Sequence, residues 1–355
     1  MRITSAILGV FALFAVFLLA GCGNQATTAG NSAANAPTSG NEAAADHAAT
    51  GASASEAKAK SDEEGFEPLT LTDASGAELH FDKKVEKVAC VVSLCVDILA
   101  ELGMEPVAIA ESGVRTIASQ AEFYGDKGAS FASIGGSFFE PNLEDLVIAA
   151  PELVIGLMGV HDALREGLGD VAPLYAANPK SYEESIGILK QIGDVTGRSA
   201  EAEAAIARFR GKLEQAKADS PHNKKALIMY GSDVNFAIVT DSGLGGTVLK
   251  ERAEYPWKVG DPAEDPYGEG SIPYSLEKLL ETNPDVIFVE SYSFSPDTKP
   301  LSEQLSELPL WSKLKAVREG KVIEVRSPIW GDGRGTRSLG IMLDEAMEFL
   351  YAGQS

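Results

Sequence analysis

The chain has 355 residues, 45% of them hydrophobic, and a mean hydropathy of -0.02, enough for two packed cores. Its formal charge of -22 excludes nucleic acid as a partner, because phosphate binding needs clustered Lys and Arg. Other polyanions are disfavoured wherever local basic residues do not reverse the field.

The N-terminus carries Arg2, then an apolar run from Ile7 to Ala20, then Gly21-Cys22. The run is short for a spanning helix of about 20 residues. A positive start, an apolar stretch and small residues before a cleavage point make a secretory signal. The order Leu19-Ala20-Gly21-Cys22 resembles a bacterial lipoprotein signal. Residues 1–21 are therefore expected to be removed, leaving a lipidated Cys22 at an extracytoplasmic membrane surface. Residues 23 to about 65 are Ala, Ser, Thr, Asn and Gly with scattered charges, too poor in large apolar side chains to fold. Residues 22–65 read as the lipidated cysteine and a flexible tether with a reach of roughly 35–40 Å.

The folded part is predicted to open with a β-hairpin, Leu69–Thr72 and Ala77–Phe81, around Asp73-Ala74-Ser75-Gly76. Short apolar runs then alternate with helical patterns. Strands are predicted at 88–92, 107–110, 153–156 and 172–175, and helices at 96–102 and 142–149. The alternation argues for parallel βαβ units. Arg198 to about Ala218 is the longest helical pattern, with Ala202, Ala205, Ile206, Phe209, Leu213 and Ala216 on one face. A second α/β set follows, with strands at 226–230, 236–240, 286–290 and 322–325. Its helices are predicted at 275–282, 310–319 and 336–351. The predicted fold is α/β: an N-terminal lobe (66–196), a bridging helix (197–219) and a C-terminal lobe (220–355), with a ligand cleft between the lobes. Cys90 and Cys95 could pair or remain buried thiols.

The halves echo each other. Asn142-Leu143-Glu144-Asp145-Leu146 precedes Pro151-Glu152-Leu153-Val154-Ile155, and Ser275-Leu276-Glu277-Lys278-Leu279 precedes Asn283-Pro284-Asp285-Val286-Ile287. With Ile134-Gly135-Gly136, Ile192-Gly193-Asp194-Val195-Thr196-Gly197 and Leu308-Pro309-Leu310-Trp311, these segments resemble the substrate-binding proteins of ABC importers for ferric siderophores, haem and cobalamin. The resemblance covers about residues 68 to 353. It departs at Ser93-Leu94-Cys95, where the family has a Ser-Pro-Ser-like run.

The resemblance implies that Glu144 and Glu277, one per lobe, dock on arginines of the membrane permease, which works with a cytoplasmic ATPase. A glutamate in a helix's first turn also simply complements the helix dipole. Ligands of open α/β sheets bind beyond the carboxyl ends of strands. The loops there, and a Pro/Gly-rich loop, hold the candidate ligand residues Arg115, Tyr230, Trp257, Tyr292, Trp330, Arg334 and Arg337. Arginines bind oxyanions through forked hydrogen bonds, and aromatics make an apolar wall. The glycines of Trp330-Gly331-Asp332-Gly333-Arg334-Gly335-Thr336-Arg337 could bring backbone close to a ligand, at a helix start that favours an anion. His161 and Met158 are the candidate axial ligands if the cargo is haem. No G-x-S-x-G, His-Glu-x-x-His or P-loop motif is present, so no enzyme is indicated. The expectation is a monomeric, lipid-anchored binding protein without a cofactor, which captures an iron chelate, an Fe(III)-siderophore of anionic type. Haem or cobalamin is the alternative cargo, and a surface lipoprotein with an enzymatic or adhesive role the alternative class.

Overall fold

The computed structural model describes residues 66–111, 113–292 and 297–351. The expected signal segment, Cys22 and the tether lie outside the described residues. The hairpin forms as the sequence predicts, with β1 (Leu69–Thr72) antiparallel to β2 (Glu78–Phe81). Asp73 builds its turn by accepting from the Ser75 and Ala77 amides, at 2.9 and 3.1 Å, while Gly76 takes φ +83°. The other carboxylate oxygen accepts from Arg165 at 2.6 Å and from the Ala176 amide at 3.0 Å, pinning the hairpin to the first lobe.

That lobe contains β3 (Val88–Cys90), α1 (Ser93–Glu101), β4 (Ala108–Ala110), α2 (Val114–Ala118), β5 (Ser133–Ile134), α3 (Leu143–Ala149), β6 (Leu153–Leu157), α4 (Leu164–Leu168) and β7 (Leu174–Ala177). Its sheet is wholly parallel, in the order β5-β4-β3-β6-β7. The middle strands read VAC, AIA and LVIGL because helices cover both faces of a parallel sheet. Helix α1 begins at Ser93, three residues before the expected start at Val96. Cys95 therefore lies in its first turn and forms a disulfide with Cys90, with Cα atoms 5.3 Å apart.

Two helices lead out of this lobe, α5 (Tyr182–Val195) and α6 (Ser199–Asp219). The 21-residue α6 is the bridge, about 31 Å long at 1.5 Å per residue. Ala202 and Ala205 pack into the first core; Phe209, Leu213 and Ala216 pack into the second. Ile206, between the two groups, is partly buried against both. Helix α5 has no counterpart in the sequence reading, and it too spans the cores: Leu189, Ile192 and Val195 enter the first, Ile186 the second.

The second lobe contains β8 (Ala226–Gly231), β9 (Ala237–Val239), α7 (Leu244–Leu249), β10 (Ser271–Pro273), α8 (Leu276–Thr282), β11 (Val286–Ser291), α9 (Leu301–Ser306), α10 (Lys315–Arg318), β12 (Val322–Glu324), α11 (Ser327–Trp330) and α12 (Thr336–Tyr351). The strand order β10-β9-β8-β11-β12 repeats that of the first sheet, but β9 runs antiparallel to both neighbours. The helix expected over 310–319 is broken at Leu314, whose backbone is extended where the Lys315 amide donates to the Asn283 side chain at 2.8 Å.

The start of α12 is tied to the first lobe. Asp97 of α1, fully buried, accepts from the backbone amides of Arg337 and Ser338, at 3.1 and 2.7 Å. A Cβ on Gly335 would come within 2.1 Å of the Asp97 carboxylate, so this approach requires glycine. Burial pushes the Asp97 carboxyl up to about 7, against the lowering effect of its hydrogen bonds from Ser338 and Arg337.

Candidate ligand cleft

A cleft of about 610 Å³ lies between the lobes, at the carboxyl ends of their strands. The first lobe contributes the turn after β6, Leu157 to Val160, and the turn after β7, Asn178 to Lys180. The second contributes Tyr230 from the end of β8, Glu290 and Tyr292 from the end of β11, and Trp330, Gly331 and Arg334 from the segment before α12. Parallel pairing sets Glu290 beside Tyr230, and strand alternation puts Tyr292 on the same face. The two tyrosine rings meet edge to face, 6.2 Å apart. Trp330 is shared between cleft and core: its indole N–H donates to Glu345 at 2.6 Å, and its ring lies 4.8 Å from Phe288.

The structure thus brings together four of the seven sequence-predicted ligand residues, Tyr230, Tyr292, Trp330 and Arg334. The other three lie elsewhere. Trp257 is 2% exposed and donates to the Ala226 carbonyl at 2.6 Å, inside the second core. Arg115 donates to the Ala129 and Phe131 carbonyls and, at 2.6 Å, to Ser133, stapling α2 to the segment before β5. Arg337 donates to Glu101, to the Ala100 carbonyl and to the Glu122 carbonyl, clamping α12 to the first lobe. The glycines of this segment approach protein atoms: a Cβ at Gly331 would stand 2.1 Å from the Tyr292 hydroxyl, and one at Gly333 2.0 Å from the Ser338 hydroxyl. The acceptor at the start of α12 is the protein's own Asp97 carboxyl.

Arg334 differs from these arginines. Its backbone is left-handed, at φ +59°, and its carbonyl accepts from Ser185 at 2.7 Å, which anchors the turn. Among the described residues its guanidinium has no hydrogen-bonded or ion-paired acceptor, so its fork is available to the cleft. Facing it is Glu290, which sequence reasoning passed over as the last residue of a strand. Burial, and then the Asp332 carboxyl, push Glu290 up to about 8. Burial also raises Asp332, with Arg334 opposing, and raises Tyr292 well above the ordinary phenol range.

One rim of the cleft is closed by direct bonds between the lobes. Lys180 donates to the Tyr267 carbonyl at 2.7 Å, and Asn178 to the Glu269 carboxylate at 3.1 Å. Asp265 holds this loop by accepting from the Glu269 and Gly270 amides, at 2.8 and 2.7 Å. The Tyr267 side chain is 80% exposed. A second hollow, about 470 Å³, lies on the first lobe near Lys84, Glu105 and Arg198 and has no aromatic lining.

His161 is committed. Its Nδ1 accepts from the Leu157 amide at 2.9 Å, so Nε2 carries the proton and donates to the Phe138 carbonyl at 2.7 Å. Burial lowers its pKa despite that bond. Both ring nitrogens are used, which leaves none for axial ligation. Among the described residues no group of three His, Cys, Asp or Glu side chains is arranged to hold a metal ion.

Glu144 and Glu277 occupy matching places. Each is exposed and is the second residue of a seven-residue helix, α3 or α8. Asn142 caps α3 and Ser275 caps α8, and both helices end in a left-handed residue, Ala150 or Asn283. Both helices start beside the carboxyl edge of their sheet, the edge that bears the cleft.

Residues 88–329 match the periplasmic binding protein family. The chain belongs to this family. The Fe(3+)-citrate-binding protein YfmC of Bacillus subtilis is 24% identical over 261 residues, 72% of this chain and 78% of that protein. The Staphylococcus aureus SirA structure complexed with staphyloferrin B superposes with a TM-score of 0.65 at 20% identity, covering 79% of this chain and 98% of that one. The petrobactin-binding protein YclQ of Bacillus subtilis gives 0.66 at 18% identity, covering 80% and 98%. Among the described residues no helix is long and apolar enough to cross a membrane.

Proposed function

We propose that this periplasmic binding protein family member captures a ferric siderophore or a similar iron chelate between its lobes and delivers it to an ABC permease. The observation that carries the reading is the cleft itself: an uncommitted guanidinium at Arg334 beside an aromatic wall of Tyr230, Tyr292 and Trp330. Such a site suits a preassembled chelate, whose organic shell supplies the metal's ligands while the protein reads the outside. Proteins named for Fe(3+)-citrate and for siderophore binding, to which this chain is similar, support the same cargo class. The protein acts as a monomer without covalent chemistry, held at the membrane by lipid on Cys22. Arg115, Trp257 and Arg337 frame the lobes in this reading, and Glu144 and Glu277 are the docking acids. Two carboxylates, one per lobe, fix the orientation of docking by charge complementarity. Binding shifts the lobes only slightly, because α5, α6 and α12 all pack across both.

Titration of intrinsic fluorescence with ferric chelates tests the reading, since Trp330 lines the cleft. Saturable quenching by at least one of a ferric hydroxamate, ferric citrate and a ferric catecholate is expected. Absence of quenching by all three would overturn it. Replacing Glu144 and Glu277 together by Ala is expected to leave binding intact and abolish uptake of radiolabelled iron chelate; unchanged uptake would remove the docking role.

A further inference from the structure

The charges around the cleft narrow the cargo. Arg334 brings one forked cation. Every other described arginine is spent on an acceptor; Arg326, for one, bridges Glu122 and Glu345. The Lys180 ammonium is held by the Tyr267 carbonyl at 2.7 Å. Two carboxyl groups line the cleft with this pair: Glu269 on the rim and Glu290 in the wall. Glu290 is 4% exposed and, among the described residues, has no cation bonded to it; its one described neighbour within hydrogen-bond reach is the Tyr292 hydroxyl, at 3.4 Å. A Cβ at Gly331 would stand 2.1 Å from the Tyr292 hydroxyl and 2.5 Å from the Glu290 carboxylate, so only glycine leaves room for both side chains here.

We infer that the cleft selects a weakly charged ferric chelate, of net charge zero or minus one, over a highly anionic one, with Arg334 as the residue that reads a single oxygen edge. The inference rests on the iron-chelate reading above and deepens it. Sequence reasoning placed three arginines near the ligand and so favoured an anionic chelate; the structure assigns two of them to other tasks. One guanidinium satisfies one oxyanion or a pair of carbonyl-like oxygens through its fork. Further negative charge on the chelate meets Glu269 in a partly desolvated cleft, where repulsion between like charges is weakly screened. Burial pushes the Glu290 carboxyl up to about 8, which favours its protonated form, able to donate a hydrogen bond to a ligand oxygen. The apolar face of a weakly charged chelate finds its complement in Tyr230, Tyr292 and Trp330.

The experiment is a fluorescence titration at pH 7 with three probes: a neutral ferric tris-hydroxamate, ferric citrate and a trianionic ferric tris-catecholate. The wild type is expected to bind the neutral probe at least about tenfold more tightly than the tris-catecholate. Glu269→Gln, which removes the charge of the lining carboxylate and keeps an acceptor for Asn178, is expected to narrow that ratio by about threefold or more. Arg334→Gln is expected to weaken ferric citrate more than the neutral probe. Tris-catecholate binding as tight as or tighter than the neutral probe would overturn the inference and leave the iron-chelate reading standing. A ratio unmoved by Glu269→Gln would remove the electrostatic basis. No binding of any probe would remove both readings together.

Discussion

The two lobes share a strand order but not a division of labour. In the first, β3 leads through a turn into α1, and that helix, with the Cys90–Cys95 disulfide and Asp97, fills the space beyond the strand's carboxyl end. In the second, β8 turns back into β9 as a hairpin, so no helix follows β8 and Tyr230 opens into the cleft. The reversal of one strand accounts for Tyr230, while Glu290, Tyr292, Trp330 and Arg334 come from the end of β11 and the segment before α12. All the aromatic side chains and the free guanidinium of the cleft come from the second lobe, and the first supplies short turns, Met158 and two polar side chains of the rim.

Substitutions in each lobe should break different properties. The largest expected effect is on the stability of the first lobe. Asp73→Ala leaves Arg165 and three backbone amides without their acceptor. It should cost about 3 kcal/mol in urea unfolding, with chelate affinity unchanged. A variant that loses affinity but not stability would contradict the division. In the second lobe, Arg334→Gln should do the opposite: a loss of about 10–30-fold in ferric citrate affinity, with stability within about 0.5 kcal/mol of wild type.

The joint between the lobes sharpens the comparison through pH. Asp97 has its carboxyl raised from 3.8 to about 7 in the folded protein. Over that interval the unfolded chain has lost the proton while the folded protein keeps it. Stability therefore falls as pH rises from about 4 to about 7, and is level above. Asp97→Asn removes this titration. The stability of wild type relative to that variant should decline across pH 4–7, measured by urea unfolding at each pH; a constant difference would contradict the assignment. The smallest expected effect is at the rim. Lys180→Met removes one bond between lobes and should change chelate affinity by about two- to threefold.

Local signals in the sequence were sufficient for much of the frame. The Asp73–Gly76 turn, the caps at Asn142 and Ser275 and the apolar face of α6 all depend on residues a few positions apart. Helix α5 was equally legible: Ser181 and Glu184 form the Ser-x-x-Glu start of a helix, and Ser181 does accept from the Glu184 amide. The site was only partly legible, because the fate of each arginine is set by distant partners. Arg337 finds Glu101 some 236 positions away, and Arg115 is consumed by carbonyls of an irregular segment. Residue type marked Arg334 and Arg337 alike, and tertiary packing alone separated them. Glu290 reads as a strand end, and only the pairing of β11 with β8 sets it beside Tyr230.

Hydrogen exchange with and without a saturating ferric chelate tests the central claim most directly. Binding between the lobes predicts new protection at 157–160, 178–180, 267–271, 290–292 and 330–334. Protection confined to the hollow near Lys84 and Arg198, or no change in the second lobe, would contradict it.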